Sequence, residues 1–173
     1  MSKISILLCS QNKNKTLADT IEHDFSAAGY TVHVMDLVAL QWPLYSSQEH
    51  ANHGVPNTLD SINKHCQSSQ GFVVVAPEYN GGIPPVFTNV IAWLSVANES
   101  WRDGFNGKLA GIATFSGGGG GLLVSALRLQ LAHIGLTVVG LPLMATYQKS
   151  LNPDSLSAFV DQWVTLCPPV KNS

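Results

Sequence analysis

Three short stretches hold the residue types from which a ligand site is built. The first is Cys9-Ser10-Gln11-Asn12-Lys13-Asn14-Lys15-Thr16, which offers hydroxyls, amides and two lysines at the start of a helical pattern. Free N–H groups and the helix dipole favour an anion there. The stretch has no glycine, which excludes a Walker A loop and the G-x-G-x-x-G dinucleotide fingerprint. Helix capping by Asn14 or Thr16 is the plainer alternative. Capping does not require two lysines where the dipole disfavours cations. The second stretch, Pro77-Glu78-Tyr79-Asn80-Gly81-Gly82-Ile83-Pro84-Pro85, joins an aromatic, an amide and two glycines between prolines. Such a stiff turn suits contact with a flat heterocycle, although Pro and Gly also mark ordinary surface turns. The third, Ser116 followed by Gly117 to Gly121, lets the backbone pass close to a ligand or take positive φ. It does not satisfy G-x-G-x-x-G, because Leu122 and Leu123 stand where the third glycine would fall.

These stretches need elements to position them. Apolar runs at Ile4–Cys9, Gly71–Ala76, Leu109–Phe115 and Leu136–Leu141 read as buried strands, and Thr31–Asp36 alternates as an edge strand would. Between them lie helical stripes. Leu17, Ile21, Phe25 and Ala28 form one, stopped by Gly29. Leu59 to Cys66, Val86 to Leu94, Leu122 to Ile134 and Pro153 to Leu166 form the others. Strands alternating with helices imply right-handed βαβ units in a parallel sheet covered on both faces. The expectation is a three-layer α/β fold with five parallel strands in the flavodoxin-like order 2-1-3-4-5. Ligands in such sheets sit beyond the carboxyl ends of the strands, where all three stretches lie.

The chain has 173 residues, the size of one domain, and no linker divides it, so residues 1–173 are read as a single unit. Nine Lys+Arg against eleven Asp+Glu exclude a polybasic nucleic-acid binder. No apolar run is long enough for a signal-peptide core or a membrane span, so the expectation is a cytoplasmic protein with no membrane partner. Three scattered cysteines, Cys9, Cys66 and Cys167, read as free thiols. His50-x-x-His53 beside Glu49 lacks further ligands at metal-binding spacing, so no metal is expected. The segment from residue 37 to 56, with Trp42 and Tyr45, is long for a structureless loop and reads as a gating lid. Charged residues make up only 12%, about half the usual share, which leaves unexplained how the helices meet water.

From Pro77 to Trp93 the residues resemble the NADPH-dependent FMN reductase family of flavodoxin-like enzymes. Its run P-E-Y-N-x-S, then I-P-x-x-L-K-N-x-I-D-W, is matched here by Pro77, Glu78, Tyr79, Asn80, Ile83, Pro84, Asn89, Ile91 and Trp93. The element order and the Ser-Gly-Gly loop agree along nearly the whole chain. The resemblance implies bound FMN and NADPH or NADH as co-substrate. It further implies hydride transfer to the flavin and then electron transfer to a small-molecule acceptor such as a quinone, azo compound, free flavin or metal oxyanion. It also implies cofactor contacts from Ser10, Asn12, Asn14, Lys15 and Thr16 to the phosphate. Pro77, Glu78, Tyr79, Asn80 and Gly81 would lie against the ring system, with Ser116, Gly117 and Gly118 near its other edge. No residue is implied as an obligatory acid or base, and Glu78 reads as a loop organiser.

The sequence departs from the family's phosphate loop, G-S-x-R-x-x-S. Cys9 replaces the glycine, Asn12 the arginine, and the final serine falls on Lys15 or Thr16. Losing a charge-assisted contact costs roughly 1.5–3 kcal/mol, or about 10–100-fold in affinity, unless Lys13 or Lys15 compensates. Two other readings stay open: a flavin-binding electron carrier, and a relative that has lost FMN and serves as an interaction protein. Family members are dimers or tetramers with the flavin near the subunit interface. The helical regions 84–101 and 121–135 carry only Glu99 and Arg128 as charged residues, so a homodimer or homotetramer is expected to cover them.

Overall fold

The computed structural model describes residues 2–97 and 99–170. Strand β1 (Lys3–Leu8) is followed by α1 (Lys13–Ala27), β2 (Thr31–Asp36), α2 (Ser47–His53) and α3 (Leu59–Ser68). Then come β3 (Gly71–Val75), α4 (Pro85–Ala97), a 3-10 turn at Trp101–Gly104, β4 (Leu109–Phe115) and α5 (Gly121–His133). Two short strands, β5 (Thr137–Val138) and β6 (Leu143–Ala145), and α6 (Pro153–Leu166) complete the fold. All strands pair in parallel, in the order β2-β1-β3-β4-β5, with β6 also pairing β4.

β1 and β3 are almost wholly buried because helices cover both faces of the sheet. One core layer joins Phe72, Val74 and Ile112 to the inner sides of α3, α4 and α5. The other joins Ile4, Ile6 and Val73 to Phe25 of α1 and to Phe159 and Trp163 of α6. α6 lies close to the sheet because the strand positions beneath its aromatic rings are glycines. A Cβ at Gly71 would stand 2.5 Å from the Trp163 ring, and one at Gly111 would enter the Phe159 ring.

Two sequence expectations are corrected. The run Leu136–Leu141 is not one strand. It pairs at Thr137–Val138, leaves the ladder, and the chain rejoins β4 at Leu143–Ala145. Pro142 has no N–H for a ladder, and the Arg128 guanidinium donates instead to the carbonyls of Val139 (3.2 Å) and Gly140 (2.6 Å). Nor is the 37–56 segment structureless. It contains α2, whose Ser46 cap accepts from Glu49 N–H, and it is tied to α4. Asn89 accepts from Tyr45 N–H at 2.8 Å and donates to the Pro43 carbonyl at 3.0 Å, while Trp93 Nε1 donates to Pro43 O at 2.7 Å. His53 meets Glu49 at 3.1 Å, and among the described residues no group of three or more metal-ligating side chains gathers.

A polar cluster lies between β1, β2 and α3. Lys3 Nζ donates to His65 Nδ1 at 3.3 Å, and Ser5 Oγ meets His65 Nε2 at 3.0 Å. The His33 and His65 rings lie 4.0 Å apart. Burial, with repulsion from His33 and Lys3, holds the His65 imidazole down to about 4, and burial also lowers His33. The folded chain therefore binds fewer protons than the unfolded chain below about pH 6.5, and stability is lost as pH falls from there toward 4. The thermal midpoint is expected to drop across that window, and His65→Gln, which cannot be protonated, to flatten the drop. A midpoint as pH-dependent in the variant as in the wild type would remove His65 from the explanation.

Candidate functional site

The carboxyl edge of the sheet brings the three singled-out stretches together around one cleft of about 310 Å³. Ser10, Asn12, Asn14, Pro77, Glu78, Tyr79, Ser116 and Gly117 line it, joined by Gln11, Lys13, Phe115 and Tyr147. Asn80, Gly81, Gly118, Lys15 and Thr16 do not line this cleft.

The first wall begins where β1 ends. Cys9 N–H still donates to Val75 O at 2.9 Å, so this residue continues the strand. Burial pushes its thiol up and keeps it protonated. Asn12 takes φ 57° and ψ −120°, an unusual conformation for a residue with a side chain. Its side chain makes no cap bond, and the helical ladder starts only at Thr16 N–H to Asn12 O. The first-turn N–H groups of α1 thus have no side-chain cap to compete with a ligand. Gln11 is fixed by Asp36, whose carboxylate also accepts from Val38 and Ala39 N–H.

Three residues that the resemblance assigns to the phosphate have side chains engaged elsewhere. Asn14 is buried, and its amide exchanges two hydrogen bonds with the Phe115 backbone: Nδ2 to O at 3.1 Å and Phe115 N–H to Oδ1 at 2.9 Å. It is a strut between two loops, and its side-chain polar atoms are already engaged. Lys15 is ion-paired with Asp19 one turn along the helix, which raises its pKa and directs it away from the cleft. Thr16 donates to the Asn12 carbonyl at 3.3 Å. That leaves Lys13 as the cation at the cleft, with no carboxylate partner among the described residues.

The second wall is a tight hairpin. Tyr79 and Gly82 exchange backbone hydrogen bonds across Asn80-Gly81, and both apex residues have positive φ, 50° and 75°. Asn-Gly is the pair that such a two-residue turn favours. Asn80 and Gly81 therefore set the turn, while Tyr79, 54% exposed, stands at the cleft. The third wall is locked to the second. Glu78 N–H donates to Ser116 Oγ at 2.7 Å, Ser116 Oγ meets Thr114 Oγ1 at 2.7 Å, and Glu78 Oε2 accepts from Leu123 N–H at 3.0 Å. Glu78 thereby caps α5 from another loop, a role its carboxylate suits at a helix N-terminus. Within the glycine run, Gly120 is required by φ 79° and by Thr114 Cγ2, which would lie 2.7 Å from a Cβ. Gly117, which lines the cleft, has open space where a side chain would stand.

Phe115 and Tyr147 escaped sequence reasoning. Their rings meet edge to face at 5.0 Å, between the end of β4 and a loop 32 positions further along the chain, and no local motif marks either. Arg102 and Arg128, the two arginines of the sequence, serve away from the cleft. Arg102 donates to His133 O at 3.0 Å and covers the Trp101 ring, and Arg128 holds the broken strand.

An uncapped helix terminus with a free lysine fits a phosphate group, and the Pro77–Tyr79 and Ser116–Gly117 walls fit a flat ring. The sheet order and the helices on both faces define a flavodoxin-like fold, with the cleft at the carboxyl edge of its strands. Residues 2–149 match the model of the NADPH-dependent FMN reductase family, and the chain belongs to that family of FMN-dependent oxidoreductases. It is 36% identical over 53 residues to a quinone reductase of Escherichia coli, a stretch covering 31% of this chain and 28% of that protein. Among solved structures it resembles FerB, a flavoenzyme NAD(P)H:(acceptor) oxidoreductase from Paracoccus denitrificans. The TM-score is 0.72 at 20% identity, with 95% of this chain and 96% of that one covered. It also resembles an FMN-dependent NADH-azoreductase from Bacillus anthracis in complex with FMN. There the TM-score is 0.63 at 13% identity, with 95% and 98% covered. At such identities the likeness to these structures is one of fold. No helix among the described residues is long and apolar enough to cross a membrane.

Proposed function

We propose that this chain is a cytoplasmic NAD(P)H oxidoreductase, a single flavin-binding domain that passes electrons from NADPH or NADH to a small acceptor such as a quinone. One observation carries the reading: the uncapped α1 terminus and its free Lys13 face the same cleft as the Tyr79 hairpin and Gly117. When bound, FMN supplies two-electron chemistry between the nicotinamide donor and the acceptor. The chain's own work is orientation. Lys13 and the first-turn N–H groups would hold the phosphate. Asn14 keeps that loop at a fixed distance from Phe115, and Glu78 and Ser116 keep the hairpin and the glycine loop in register. Tyr79 and Tyr147 would flank the ring and limit water.

The purified chain is expected to turn yellow with FMN and to oxidise NADPH when a quinone is present. A colourless protein taking up no FMN at micromolar concentration overturns the reading. Flavin uptake without NAD(P)H turnover would favour an electron carrier.

The acceptor side is proposed to be completed by a second copy of the chain, in a homodimer or homotetramer. Leu122, Ser125, Leu129 and Ala132 form one exposed stripe along α5, with Leu122 at 65% and Leu129 at 76% exposure. The stripe reaches the site, because Leu122 Cδ1 packs beside Gly81 of the hairpin. Light scattering at micromolar concentration is expected to return a multiple of the 18.5 kDa chain mass, and Leu129→Glu to return the monomer. A wild-type monomer would refute the assignment.

A further inference from the structure

A groove of about 230 Å³ lies apart from the cleft, between the chain leaving β2 and the first turns of α4. Leu37 and Val38 line it from one segment and Val86 and Val90 from α4, with the Trp42 ring among them. It shares no lining residue with the cleft. Its volume is below the roughly 300–1,000 Å³ usual for drug-sized ligands. That suits a compound of one or two rings and excludes a nucleotide.

The walls are held from several directions. Asp36 accepts from Val38 and Ala39 N–H at 3.0 and 3.2 Å, and Trp42 Nε1 donates to Thr58 Oγ1 at 2.9 Å. The Asn89 amide is fully engaged, with Tyr45 N–H and the Pro43 carbonyl, and Trp93 donates to that same carbonyl. The groove is thus formed before a ligand arrives, which lowers the ordering cost of binding.

No charged residue lines the groove, so an ion would lose hydration there without gaining a partner. One polar side chain is free. Gln41 takes a left-handed backbone conformation, φ 48°, with its N–H on the Val38 carbonyl at 3.3 Å. Its side-chain amide lines the groove and has no hydrogen-bond partner among the described residues. A primary amide presents a carbonyl acceptor beside an N–H donor. A ligand that meets both at once carries a donor and an acceptor side by side, as a ring lactam does.

We propose that this groove is a second ligand site, for a flat, uncharged lactam of one or two rings paired with the Gln41 amide. The apolar side chains and the Trp42 ring would take the ring system. Because the groove and the cleft share no lining residue, the lactam and FMN are expected to bind independently. For the same reason this inference and the flavin reading can fail separately.

The test is calorimetric titration of the full chain with carbostyril, a two-ring lactam, with its N-methyl derivative and with naphthoate, a charged two-ring compound. Carbostyril is expected to bind with a Kd on the order of 0.1 mM, with or without FMN present. N-methylation removes the donor and is expected to weaken binding about fivefold. Naphthoate is expected to bind at least about tenfold more weakly than carbostyril. Gln41→Gly removes the amide and suits the positive φ, so carbostyril and its N-methyl derivative should then bind equally. Val38→Trp, at a position 41% exposed, fills the groove from the surface and should abolish binding at an unchanged thermal midpoint. No carbostyril binding at millimolar concentration overturns the proposal, as does displacement of carbostyril by FMN. So does a methylation effect that survives Gln41→Gly, or naphthoate binding as tightly as the lactam. Binding by the Leu129→Glu monomer alone would give the groove to a second copy of the chain and overturn the proposal as well.

Discussion

Asn14→Leu is expected to lower the free energy of unfolding by about 2–4 kcal/mol and to abolish flavin retention. The side chain is only 4% exposed and satisfies both the N–H and the C=O of Phe115. Leucine leaves that part-buried donor and acceptor unpaired, at about 1–3 kcal/mol each before relaxation. The two groups belong to the end of β4, directly before Ser116 and the glycine run, so the loss also loosens the third wall of the cleft. Denaturant titration measures the effect as a lower midpoint at unchanged slope. Asn14→Asp separates the two roles. It keeps an acceptor for Phe115 N–H, and it places a carboxylate beside the anion seat. The aspartate variant is therefore expected to lose less stability than leucine and still to bind no FMN. Were Asn14 a direct phosphate ligand and not a strut, leucine would weaken FMN while leaving the unfolding midpoint in place.

The second large effect separates two neighbouring lysines. Lys13→Gln is expected to weaken FMN about tenfold, the loss of a charge-assisted contact of about 1.4 kcal/mol at an accessible site. Lys15→Gln is expected to change affinity by less than about threefold, because Lys15 is committed to Asp19 and lies outside the cleft. Raising the salt concentration should narrow the gap between wild type and Lys13→Gln, since the lost term is Coulombic and partly screened. A larger loss for Lys15 than for Lys13 would require the loop to turn the other way. Titration of each variant with FMN, followed by flavin absorbance, decides between them.

Much of the scaffold was legible in the sequence. Continuous apolar runs at Ile4–Cys9 and Gly71–Ala76 required strands buried on both faces. Their alternation with helical stripes required parallel connections, and those put all ligand-competent loops at one edge. The interruption of the last strand was not legible, because Leu136–Leu141 is a continuous apolar run and Pro142 falls only after it. Nor was the role Arg128 plays beside it, since its distance from Val139 spans a helix end and a turn. Glu78 illustrates the same boundary. Its place in the Pro77-Glu78-Tyr79-Asn80 run identifies a loop, yet only the fold shows its carboxylate on Leu123 N–H.

The low charge content pointed to the helical regions 84–101 and 121–135, and in the second of these Leu122 and Leu129 stand exposed on α5. Periodicity, glycine placement and composition act over a few residues, so the sequence by itself determined the α/β alternation, the edge that carries the site and the family. The tertiary structure alone decided which side chains face a ligand. Lys13 and Lys15 are chemically identical and two positions apart, but they leave the helix in different directions, and only one has a carboxylate a turn away. Asn14 bonds a residue 101 positions distant, and Tyr147 joins the cleft by packing on Phe115. Contacts of that range depend on how the elements pack, and no local pattern encodes them.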